Sequence, residues 1–98
     1  MSELDAKLAD VARQYDDVQA QLALPETSTD VDAIRRLGRE LARLEPVVEA
    51  YRRLLDTRKE LDGAREMRDA DADEEVRTMA RHEVDELETN ETRLVEEL

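Results

Sequence analysis

The sequence predicts an all-α protein: three long helices in an antiparallel bundle or coiled-coil-like hairpin, the middle one kinked near Pro46. Three observations carry that expectation. Apolar residues recur at alternating spacings of three and four in three stretches. The first holds Leu4, Leu8, Val11, Tyr15, Val18 and Leu22. The second holds Ile34, Leu37, Leu41, Leu44, Val48, Tyr51 and Leu55, and the third Val76, Met79, Ala80, Val84, Leu87, Leu94 and Leu98. A helix turns once per 3.6 residues, so each series paints one stripe down one side. The composition agrees: 43% of residues are charged and 2% aromatic. A thin aliphatic core of this kind suits helices packed side by side better than a sheet, which favours β-branched and aromatic residues. Finally, short polar connectors separate the stripes.

Each element follows from its own residues. The first helix is expected over residues 2–24, with Ser2 as cap and Glu3 and Asp5 suiting the positive helix start. Pro25 ends it, because the residue before a proline resists helical geometry. Glu26-Thr27-Ser28-Thr29-Asp30 reads as a connector, and Thr29 or Asp30 can cap the second helix near Val31. That helix carries its stripe to Leu55 and then drifts to Leu61 and Met67. Pro46 removes one backbone donor and crowds the carbonyl four residues back. The stripe keeps its phase across Pro46, which favours a kinked continuous helix over two helices with a tight joint. Gly63 costs about 1 kcal/mol against Ala in a helix, so the end of this helix is its weaker part. Asp69-Ala70-Asp71-Ala72-Asp73 reads as the second connector, with Asp71 or Asp73 as cap and Glu74 and Glu75 favouring the third helix. That helix is expected to reach the last residue. Glu96 and Glu97 sit where the helix dipole is negative, with no capping Gly or Asn and no closing base. The expectation is that more protein follows Leu98 in nature.

The length of 98 residues is enough for one domain. There is no cysteine, so disulfides and thiolate metal sites are excluded. No apolar run is long enough to span a membrane, and there is no basic-then-apolar secretory start. A cytoplasmic protein fits. The net charge of −12 is unevenly placed. Residues 71–98 hold eleven acids and three bases, whereas residues 35–68 hold ten bases and seven acids. An acidic whole argues against indiscriminate nucleic-acid binding but permits one local basic contact.

No catalytic constellation is present, and the chain reads as no enzyme, with no cofactor and no small-molecule site. His82 is the only histidine, and between Arg81 and Glu83 it reads as solvated rather than as a ligand. Gly38 and Gly63 are isolated, so there is no phosphate-cradling loop. Asp69, Asp71 and Asp73 alternate like the start of a calcium loop. Glu74 stands where that loop needs glycine and Ala80 where it needs glutamate, so no metal site is expected. Tyr15 and Tyr51 lie on stripes and read as core residues. Arg36, Arg39, Arg43 and Arg53 fall opposite the apolar stripe and would form an outward basic strip. The plainer reading is a solvated face laced by Asp32–Arg36, Arg36–Glu40 and Glu49–Arg53 pairs at spacing four. The functional one is a docking strip for phosphate or an acidic partner.

The segment Leu44-Glu45-Pro46-Val47-Val48-Glu49-Ala50-Tyr51-Arg52 resembles the amino-terminal domain of bacterial class I peptide chain release factors. Leu37-Gly38-Arg39-Glu40-Leu41-Ala42-Arg43-Leu44 resembles the family's run before its Glu-Pro. Lys59-Glu60-Leu61 and Ala64-Arg65-Glu66-Met67 are similar to the end of its second helix, and Glu75-Val76-Arg77-Thr78-Met79-Ala80 to its third. The likeness runs from about Leu4 to Leu98. The absence of tryptophan favours the type that reads UAA and UAG. Proline in mid-helix makes the central stretch the best discriminator, since ordinary coiled coils avoid it.

The resemblance implies that residues 1–98 form one helical domain, the amino-terminal part of a longer factor. The Gly-Gly-Gln motif is absent here, and in the family both it and the Pro-x-Thr codon reader lie downstream. The implied role is non-catalytic docking in translation termination. The implied partners are the ribosome (protein and rRNA at the stalk base), the GTPase that recycles release factors, and the methyltransferase that modifies the Gly-Gly-Gln glutamine; no membrane is implied. The competing reading is a free-standing coiled-coil adaptor that oligomerises through its stripes, against which Pro46 counts.

Overall fold

The computed structural model describes residues 2–70 and 72–98. Asp71, named above as a cap and as part of the acidic alternation, lies outside them. The described residues form three α-helices and one 3-10 turn, with no strand. The helices are α1 at Glu3–Leu22, α2 at Val31–Ala70 and α3 at Glu74–Glu97. The chain divides into two compact units, Met1–Glu49 and Ala50–Leu98. The all-α expectation holds, and each unit is a pair of helices to which α2 contributes one part.

In the first unit, Ser2 caps α1 by accepting the Asp5 N–H at 3.0 Å. Leu24 is forced out of helical geometry by Pro25 and lies at φ −67°, ψ 136°. The expected connector takes the form of a 3-10 helix, Pro25–Thr29. Proline suits its first turn, since its missing N–H would have no partner there. The buried Thr27 hydroxyl donates to the Gln21 carbonyl at 2.7 Å, tying the turn to the end of α1. Tyr15 and Val18 of α1 share a core with Leu37, Leu44 and Val48 of α2, and half-buried Val11, Leu22 and Leu41 pack on it. Tyr15 is thus a core residue, as its position on the stripe implies. Ile34 departs from expectation: it is 39% exposed.

α2 continues through Pro46, so the alternative of two helices with a joint does not form. Pro46 is exposed, so its ring lies away from the core. The helix also runs two residues into the expected second connector, taking in Asp69 and Ala70. Arg68 Nε donates to Asp69 Oδ1 at 2.8 Å. The hydrogen bonds from Arg68, with its charge adding to them, hold the Asp69 carboxyl below its ordinary value against a smaller desolvation that raises it.

In the second unit, Leu61 and Ala64 of α2 form a core with Val84 of α3, and Leu87 packs against it. Arg58 Nε meets Glu91 Oε2 at 3.1 Å, and Asn90 Nδ2 donates to Thr57 Oγ1 at 3.4 Å. Residues later in α2 therefore face residues earlier in α3, so the pair is antiparallel. Asp73 caps α3 by accepting the Glu75 N–H at 2.9 Å.

Here the stripes need correcting. Leu55, Met67 and Met79 are 45%, 46% and 71% exposed, whereas Leu54, Leu61 and Ala64 are buried. The step after Tyr51 is three residues, not four, and the buried series continues through Leu54, Thr57, Leu61 and Ala64. Leu55 is thereby turned out by one residue, about 100° round the helix. Met79 is likewise one residue off the buried series of Ala80, Val84 and Leu94.

Candidate docking surface

The start of α2 fixes the geometry of the basic surface. Asp30 caps it: its Oδ1 accepts the Ala33 N–H at 3.0 Å, and its carbonyl accepts the Ile34 N–H at 3.0 Å. With the helix anchored there and Leu37 buried, positions 32, 35, 36 and 39 turn to solvent. Asp30, Asp32, Ala33, Arg35, Arg36 and Arg39 line an open groove of about 620 Å³.

The structure brings only part of the expected strip together. Arg36 and Arg39 line the groove; Arg43 does not. Arg43 lies 3.9 Å from Glu40, its side chain 69% exposed. Arg53 is exposed and belongs to the second unit. Arg35 lines the groove with Arg36 and Arg39 and shares their arc of the helix, four residues before Arg39. The pairs expected to neutralise this face do not form. Among the described residues, no ion pair joins Asp32 to Arg36, Arg36 to Glu40 or Glu49 to Arg53, and Arg35, Arg36 and Arg39 enter none. Three guanidinium forks are therefore available to a ligand. Each presents planar donors that match a carboxylate or phosphate.

The groove holds no nucleophile and no base poised beside one. His82 is exposed on α3, and Asp69 and Asp73 are engaged with Arg68 and the Glu75 amide. Among the described residues, no helix is long and apolar enough to cross a membrane.

Fold and surface together define a class: an all-α domain of helix pairs with a solvent-facing arginine groove. More narrowly, the chain belongs to the PCRF domain family, whose domain it matches over residues 11–98. Among curated relatives, "Peptide chain release factor 1" of Dehalococcoides mccartyi is 32% identical over 92 residues, covering 94% of this chain and 26% of that protein. "Peptide chain release factor 1" of Oleidesulfovibrio alaskensis is 37% identical over 83 residues, 85% of this chain and 23% of that protein. The protein of the same name from Salinibacter ruber is 48% identical over 60 residues, 58% of this chain and 17% of that protein. The chain thus spans about a quarter of the length of the first of these. No solved structure matches it.

Proposed function

We propose that this chain is the helical domain of a peptide chain release factor, a non-catalytic docking module acting in translation termination at UAA and UAG codons. The single observation that carries the reading is the PCRF domain match over residues 11–98, seconded by relatives named peptide chain release factor 1 over most of the chain. The work of the domain is to position a longer factor, in the cytoplasm, against the ribosome. Its surfaces meet protein and rRNA near the stalk base, the recycling GTPase, and the methyltransferase of the Gly-Gly-Gln glutamine. Arg36, Arg39, Arg43 and Arg53 are the proposed contact residues, with Arg35 added by the groove it shares. The exposure of these side chains and the absence of ion pairs at Arg36 and Arg39 support that choice.

Co-sedimentation with ribosomes tests it. The chain is expected to pellet with them, and Arg39→Glu with Arg43→Glu is expected to weaken binding while leaving the thermal melt unchanged. Unchanged binding would remove the strip from consideration.

A further inference from the structure

The arginine groove has an apolar neighbour that the docking reading leaves unused. Leu24, Val31 and Ile34 are 46%, 58% and 39% exposed, and all belong to the first unit at the turn into α2. At 100° per residue, Val31, Ile34 and Gly38 share one arc of α2, and Arg35, Arg39 and Arg36 occupy the arc beside it. A Cβ built on Gly38 would meet nothing within 4 Å, so this arc is open. The surface is thus amphipathic on its outer side: aliphatic along one edge, cationic along the next.

We infer that the aliphatic edge of Val31 and Ile34 and the groove of Arg35, Arg36 and Arg39 form one binding surface for an acidic amphipathic helix of a protein partner. The inference rests on the docking role proposed above and names the partner's chemistry. Charge complementarity chooses the occupant. Three arginines face Asp30 and Asp32 in the groove, and residues 30–43 carry four arginines against three acids, a locally positive stretch in a chain of net charge −12. An acidic helix is repelled elsewhere and steered here. Arginine forks bind carboxylates in bidentate fashion, while aliphatic residues at spacings of three or four on the partner cover Val31 and Ile34. RNA fits less well. A phosphate backbone would leave the aliphatic edge wet. Stacking on bases needs aromatic platforms; the two tyrosines of the chain are Tyr15, buried in the core, and Tyr51, half-buried in the second unit.

Amide NMR titration of the whole chain tests this with three probes: a short synthetic Glu/Leu amphipathic helix, the same helix with Lys for Glu, and a single-stranded RNA oligonucleotide. The acidic helix is expected to shift amides across residues 31–39, and the Lys version is not. Val31→Ser with Ile34→Ser, and separately Arg36→Glu with Arg39→Glu, are each expected to weaken the acidic helix by about tenfold, roughly the loss of one good contact. These positions are exposed, and unchanged melts exclude unfolding as the cause. Shifts with RNA that the Val31 and Ile34 variant leaves intact would overturn the inference while sparing ribosome docking through phosphate. No shift with the acidic helix would overturn it as well. Failure of the docking role itself is read separately, by co-sedimentation.

Discussion

Leu54 and Leu55 are adjacent, chemically identical and opposite in fate, so replacing each by alanine is a sharp test of the register of α2. Leu54 is fully buried and Leu55 is 45% exposed. Removing three buried carbons at about 0.8 kcal/mol each costs Leu54→Ala about 2.4 kcal/mol before any cavity is counted. The cavity raises the expectation to about 3–4 kcal/mol. Leu55 covers only part of its surface and leaves no enclosed hole. Leu55→Ala should cost about 1 kcal/mol, less the small helix preference for alanine. For a domain of this size in urea, with a slope of about 1–1.5 kcal/mol per molar, the midpoint should fall by about 2–4 M for Leu54→Ala and by about 1 M or less for Leu55→Ala. Urea denaturation followed by circular dichroism reads both. Equal losses, or a greater loss at Leu55, would refute the observed register and restore the simple four-residue step from Tyr51.

Other consequences follow from the same physical arguments. Gly63→Ala should raise stability by about 0.5–1 kcal/mol, because the added Cβ meets nothing and the unfolded chain loses freedom; a lower urea midpoint would contradict it. A double-mutant cycle on Arg58→Met and Glu91→Gln should return a coupling of about 0.5–1 kcal/mol, modest because both side chains remain partly exposed and salt screens them. Asp73→Ala should cost about 1 kcal/mol through the lost cap of α3, measured by the same denaturation. The Asp69 carboxyl should titrate below the ordinary carboxylate value by NMR and return toward it in Arg68→Gln. Because its folded value is depressed, the pair's stabilising effect is fully present above the unfolded carboxylate value and is lost as pH falls through the lowered one.

Much of this fold is legible in the sequence because its signals are local. Ser2, Pro25, Asp30 and Asp73 act on their immediate neighbours, and all four mark element ends where the residue types place them. The stripes are legible in kind but not in phase. A run of three-and-four spacings cannot say where α2 stops serving α1 and starts serving α3, and there the series steps from Tyr51 to Leu54 instead of Leu55. The polar contacts at Thr57, Arg58, Asn90 and Glu91 left a trace, a gap in the third stripe between Leu87 and Leu94. A gap does not name its partner, so the pairing needed the structure. Polar layers of this kind are suited to fixing helix register. On the surface, Arg36 and Arg39 were found by their wheel position. Arg35 lies on the same arc, and the structure adds it through the groove it lines with them.

The most direct test of the central reading is the gene itself past the codon for Leu98. A docking arm of a release factor predicts an open frame that goes on to encode Pro-x-Thr and then Gly-Gly-Gln. A stop codon immediately after Leu98 would contradict it and leave a free-standing helical adaptor as the better account.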